Sequence, residues 1–353
     1  MGESLALLSL IDHARETRPD ASILVTSGTR ASAEVLARRL PPGAIHQYLP
    51  IDTPDATRAF VRHWSPDLGV FVESEVWPNL LLEAKAAGAR LALLSGRMSD
   101  ASVRGWSRAP ASAAAVFGLF DLVLARDEIE ADKLASLGAR RDGVIDLKFG
   151  ASRLPRDEGL FERFRGLDRR PIILAASTHP GEDEPILRAF DAVRRPGALL
   201  IVAPRHAERG LDIADLARRL GFEAALRSRT PDIADVLVAD TVGDLGTWYA
   251  LADLALIGGS WVAGVGGHNP LEPARLGCPA IAGPHVGAWP VYREMAAMGA
   301  TRLVDQADLA SAIDLVWSDA DALGCMAKTA AAFVADRDRG VIAGLDRTLA
   351  LLP

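Results

Sequence analysis

Two glycine doublets, at 258–259 and 266–267, stand just ahead of Asn269 and Glu272 in the stretch GGSWVAGVGGHNPLEPARLG. Glycine lets a backbone approach another group closely or take positive φ, and a simple helix start needs neither. A carboxylate behind such a turn suits a ribose diol, accepting a hydrogen bond from each hydroxyl. It equally suits the first turn of a helix, with Asn269 as N-cap, Pro270 at the first helical position and Gly277 as the stop. His268 either reaches the same ligand or packs the turn. In DTVGDLG (240–246) a glycine turn leads into a helix, so backbone N–H groups from Val242 through Gly243 to Leu245 suit an anion. The helix dipole adds about 0.3–1 kcal/mol there, ~2 kcal/mol when partly buried. Arg205 and His206, in PRHAER (204–209), follow an apolar run. Arg205 suits a fork onto phosphate or carboxylate, or a surface ion pair.

These residues sit behind apolar runs that read as parallel strands. In the second half the runs are 171–177, 198–204, 236–240, 253–259 and 279–284. In the first half they are 21–27, 44–49, 68–74, 90–95, 122–125 and 144–147. Amphipathic segments such as 29–40 and 54–64 alternate with them, a rhythm that gives parallel sheets covered by helices on both faces. The expected plan is a Rossmann-like α/β domain over 1–150 and a polar, Arg-rich linker over 151–170. A second such domain follows over 171–335, and a helix over 336–353 is read as crossing back to the first. Doubly wound domains bind ligands outside the carboxyl ends of their strands. The polar loops STHPGEDE (177–184), PRHAER, DTVGDLG and the glycine stretch all fall there.

Composition narrows the classes. The chain has 353 residues, 49% hydrophobic and 24% charged, with a net charge of −7, which argues against general nucleic-acid binding. Two cysteines are too few for a disulfide framework, and the cysteines and seven histidines lack metal-ligand spacing. No metal or other cofactor is expected. No apolar run approaches the roughly 18 residues that mark a membrane-spanning helix, so the chain itself reads as soluble.

Taken together, ESEVWPNLL, ASTH, APRH, DTVGDL and GGS-x5-GGHNPLEPA resemble, in order, the transferases of 3-deoxy-D-manno-oct-2-ulosonic acid (Kdo) in lipopolysaccharide synthesis. The resemblance implies a GT-B fold of two doubly wound Rossmann-like domains facing across a cleft. It also implies metal-independent, inverting transfer of Kdo from CMP-Kdo to a lipid A precursor at the cytoplasmic side of the bacterial inner membrane. The second domain would bind the donor: Glu272 on the cytidine ribose with Asn269, Gly266 and Gly267 close by, and Arg205 and His206 at the phosphate. Val242, Gly243 and Leu245 would meet the leaving phosphate, and Ser177, Thr178 and Ser260 the phosphate or Kdo.

In the first domain the resemblance puts Glu3 and Glu75 in the catalytic set, Glu3 as the general base. It makes Glu73, Arg97, Arg104 and Arg108 contacts to acceptor or Kdo. If the strand persists, Glu73 and Glu75 point to one side. Trp77 reads equally as packing or as a platform. The resemblance further places a membrane-associating segment and a first strand ahead of Glu3, which this sequence lacks, so the expected N-terminal sheet is without a central strand. An inactive CMP-sugar-binding protein and a UDP-dependent GT-B enzyme are the alternative readings.

Overall fold

The structure is a computed structural model that describes residues 2–150, 153–167, 171–229 and 234–353; side chains 2–6, 9, 35 and 38 also lie outside the description. Two compact units form, Met1–Ser152 with Arg337–Pro353, and Arg153–Asp336.

The first unit contains β1 (Leu24–Ser27), β2 (Ile45–Tyr48), β3 (Leu68–Val72), β4 (Arg90–Gly96), β5 (Leu122–Ala125) and β6 (Gly143–Val144). Among the described residues β1 pairs with β2 alone, and a separate sheet runs β3-β4-β5-β6, all parallel. Alternate residues of the larger sheet feed opposite cores, as strand geometry requires. Leu91, Leu93 and Val123 pack on one side; Ala92, Leu94, Leu122 and Leu124 pack on the other. Val341, Leu345 and Leu349, from the last turns of the helix Ala320–Leu349, complete that second core. Gly344 lets the helix settle there, since a Cβ would lie 2.6 Å from the Ile145 Cδ1.

The second unit carries β7 (Ile172–Thr178), β8 (Leu199–Pro204), β9 (Ala224–Leu226), β10 (Val236–Val238), β11 (Leu254–Ile257), β12 (Ala280–Ala282) and β13 (Arg302–Leu303). They form one parallel sheet in the order β13-β12-β11-β7-β8-β10-β9. The sheet is covered on both faces, which is why its strands read as unbroken apolar runs. The chain moves outward from β7 through β8, then returns to the other side of β7 at β11. Loops leaving β7 and β11 therefore diverge at a topological switch point, where α/β sheets hold ligands.

Several elements differ from the sequence reading. The stretch 151–170 is more than a linker, because the helix Glu158–Arg165 puts Leu160 and Phe164 into the second unit's core. Their i, i+4 spacing lies hidden among charges. The strands β9 and β13 are too short to stand out as apolar runs. The strand expected over 144–147 ends at Val144 and gives way to a 3₁₀ turn at Leu147–Gly150. The backbone at Glu3 is helical, within Gly2–Thr17.

Leu345 is 2% exposed, and its replacement by alanine leaves a cavity. Leu345→Ala should cost about 2–5 kcal/mol in urea-monitored unfolding. A cost below the resolution of that measurement would remove the helix from the core of the first unit.

Candidate functional site

Glu182 organises the switch point. It is 1% exposed, and its carboxylate accepts hydrogen bonds from four backbone N–H groups. These are His179 at 2.8 Å, Gly259 at 2.7 Å, Ser260 at 3.1 Å and Trp261 at 2.9 Å. Hydrogen bonds to an ionised group contribute about 1.5–3 kcal/mol each, so this carboxylate binds the β7 and β11 loops firmly to each other. The close approach explains the first glycine doublet. A Cβ on Gly258 would lie 2.6 Å from the Ser177 carbonyl oxygen, and Gly259 takes φ +67°. Ser177 itself holds φ +57° where the β7/β8 register shifts.

Two of the expected ligand contacts prove internal. Thr178 is fully buried and donates its hydroxyl to Asp183 at 2.7 Å, while Arg209 grips the same carboxylate and the Thr178 carbonyl. Ser260 is also fully buried; its hydroxyl donates to the Ile257 carbonyl and accepts from the Gly283 N–H. Both side chains serve the loops and leave no donor for a ligand. Ser177 stays half-buried at the strand end.

The second doublet folds the loop back on itself. Gly267 N–H donates to the Gly259 carbonyl at 2.8 Å, and Ala288 N–H donates to that of Gly266 at 3.0 Å. Gly266 and Gly267 take φ +88° and +82°. The following helix starts at Leu271, one residue later than expected, with Pro270 at its N-cap. Asn269 still caps in effect, its Oδ1 accepting the Leu271 N–H at 3.0 Å, and its Nδ2 lies 3.4 Å from the Glu272 Oε1. Burial raises the Glu272 pKa, opposed by the Asn269 amide and by the charges of Arg275 and Arg205. Arg205, exposed just after β8, makes no ion pair among the described residues, and its field reaches Glu272 and His268.

His179, missed as a site residue, lies here as well. Its Nε2 is 2.9 Å from the His268 Nε2, and the two ring planes lie within 16° of each other with centroids 5.1 Å apart, so the imidazoles meet edge to edge. His206 stands edge-on to His179 and is exposed. Burial, then His179 and Arg205, push the His268 pKa down to about 4. Nearby, Val242 is 92% exposed and Gly243 takes φ +105°. Their N–H groups find no partner among the described residues. The helix Leu245–Leu251 then begins behind Asp244, which accepts from the Thr241 hydroxyl at 2.6 Å.

In the first unit the strand stops at Val72, so Glu73 and Glu75 do not share a side. Glu73 takes φ +58°, is 7% exposed and pairs with the Arg97 Nε at 2.6 Å. Glu75 is exposed and accepts from the Trp77 indole at 2.6 Å. Ser74, Arg97, Arg126, Glu130 and Lys133 line a hollow of about 340 Å³. Arg104 and Arg108 are exposed and outside that lining. The Glu3 side chain lies outside the described residues.

His268 is held neutral in the fold, with a pKa below its ordinary 6.5. Its contribution to stability is complete above pH 6.5 and is lost as pH falls toward about 4. Over that window the melting temperature of the wild type should fall more steeply than that of His268→Gln. Parallel curves would refute the assignment.

Comparison with known proteins agrees with this architecture. A profile of the 3-deoxy-D-manno-octulosonic-acid transferase family (kdotransferase) matches residues 1–151. The chain is 32% identical over 348 residues to a protein of Arabidopsis thaliana named "Probable 3-deoxy-D-manno-octulosonic acid transferase, mitochondrial", covering 92% of this chain and 76% of that one. It is 35% identical to the 3-deoxy-D-manno-octulosonic acid transferase of Rickettsia bellii, covering 80% and 69%. The UDP-GlcNAc 2-epimerase of Neisseria meningitidis shares the fold with a TM-score of 0.62 at 12% identity, covering 99% of this chain and 96% of that one. With parallel α/β units whose fold is of GT-B type and these relatives along most of its length, the chain belongs to the 3-deoxy-D-manno-octulosonic acid transferase family.

Proposed function

We propose that this Kdo glycosyltransferase takes its sugar from CMP-Kdo and delivers it to a hydroxyl of a lipid A precursor at the surface of the bacterial inner membrane, without a metal ion. The observation that carries the donor assignment is the half-buried Glu272 behind the folded glycine loop, with Arg205 within range of its charge. Glu272 accepts both ribose hydroxyls, and Asn269 holds the carboxylate in place. Arg205 and the outward N–H groups of Val242 and Gly243 receive the phosphate.

In the reaction the acceptor oxygen attacks the anomeric carbon of Kdo as the bond to the phosphate oxygen breaks, inverting that centre. The developing charge on CMP falls on groups already oriented toward it, where fixed donors act most strongly. Glu3 is assigned to remove the acceptor proton. Glu73, held by Arg97, is committed to that ion pair, so contact with acceptor or Kdo falls to Glu75, Arg104 and Arg108. No helix among the described residues is long and apolar enough to cross a membrane.

Calorimetric titration tests the donor site. CMP should bind better than UMP, and Glu272→Ala should weaken CMP by at least about 10-fold, the lower end of the worth of one charge-assisted hydrogen bond where two are lost. Arg205→Ala should lower kcat/KM for Kdo transfer by about 10²–10³-fold, the cost of a lost donor to a developing anion. Equal affinity for CMP and UMP, or undiminished binding by Glu272→Ala, would overturn the assignment.

A further inference from the structure

The paired imidazoles of His179 and His268 are absorbed neither by the ribose contacts nor by Arg205. They meet across the switch point, one on the β7 loop and one on the glycine loop, with Nε2 atoms 2.9 Å apart. Their seat is built. The His179 backbone is held by Glu182, and the His268 carbonyl accepts the Tyr292 hydroxyl at 2.9 Å. A Cβ on Gly259 would lie 3.1 Å from the His268 ring, so the glycine also makes room for it. The charged and titratable groups facing the pair are Glu182 from its own loop and Arg205, His206 and Arg209 from beyond β8, with Glu272 following on the glycine loop. Glu208 stands 3.8 Å from His206.

Two ring nitrogens at hydrogen-bond distance share one proton: one ring donates and the other accepts. The pair can take up one further proton and keep the contact, because a cationic ring still donates to a neutral one. A second added proton would set N–H against N–H. With no anion present, burial and the Arg205 field keep the pair neutral. An anion seated beside Arg205 reverses that field at the same place.

Resting on the donor assignment above, we propose that the His179–His268 pair is a phosphate-binding element that takes one proton from solvent when the nucleotide phosphate binds. The uncharged pair leaves the empty site with fewer repelling cations. The charged pair then faces the phosphate as it becomes the leaving group. No bond to phosphorus is made or broken in this step.

The experiment is titration of the full chain with CMP near neutral pH, in two buffers of different ionisation enthalpy. The difference in apparent heats gives the protons exchanged. Deprotonation of CMP itself releases protons, so a net uptake reports the protein. About one proton should be taken up per CMP bound. Cytidine, which lacks the phosphate, should cause none, and a folded His179→Gln/His268→Gln double variant should lose the uptake. If that variant does not fold, ring-proton titration of the wild type gives the same reading: CMP must raise the midpoints of two histidines. CMP binding without proton uptake, or with uptake kept in the folded double variant, overturns this inference and leaves the donor assignment standing. Failure of CMP to bind at all defeats both.

Discussion

The four hydrogen bonds accepted by the Glu182 carboxylate hold the second unit's ligand end in shape. A parallel sheet ends in loops with unpaired backbone N–H groups, and buried donors need partners. Three successive N–H groups, from Gly259 to Trp261, leave β11 together with no strand to pair against. A single buried carboxylate from the neighbouring loop satisfies them all. That arrangement dictates Gly258, where the loops touch, and Gly259, whose positive φ turns the chain beneath the carboxylate. It also positions His179 on the β7 loop and, further along the β11 loop, His268, Asn269 and Glu272. The loop is therefore ordered before a ligand arrives, and binding need not spend free energy fixing it.

This order comes with partial desolvation of the ionisable groups. Glu272 is raised by burial, His268 is lowered by it, and the buried phenol of Tyr292 is raised as well. Each shift disfavours charge in the empty site. Arg205, kept outside at the mouth, is the exception. A polar ligand entering such a site meets few ordered charges that must first be stripped of water, and it supplies the counter-charge itself.

Much of this was legible in the sequence, for identifiable reasons. The strands of both units stand out because each is buried on two faces and reads as a continuous apolar run. The glycine doublets stand out because regular structure does not use them. What stayed hidden depended on contacts across long separations. Glu182 meets three of its four partners 77 to 79 residues away, and nothing in STHPGEDE marks it as different in role from its acidic neighbour Asp183. Thr178 and Ser260 carry hydroxyls at strand ends, as ligand contacts do, yet both are spent inside the fold. Glu73 and Glu75 appear paired only if the strand runs on, and the positive φ of Glu73 ends it two residues early. The helix over 158–165 was masked by its own charged surface, although Leu160 and Phe164 carry the helical spacing.

The division of the first unit's strands bears on how evenly the molecule resists opening. Among the described residues the pair β1 and β2 stands apart from the β3-to-β6 sheet, and the buried cluster beside it is Ile11, Val25 and Leu36, with Leu8, Ile23 and Leu40 packed against it. Two strands on their own are marginal in water, whereas the seven-stranded sheet is clamped between two extensive cores. Stability in proteins is distributed in cooperative blocks, and the block with least buried area gives way first. The corner holding β1, β2 and the helix Arg30–Arg39 is that block. It can loosen and re-form while the glycine loop and its carboxylate anchor in the other unit stay intact.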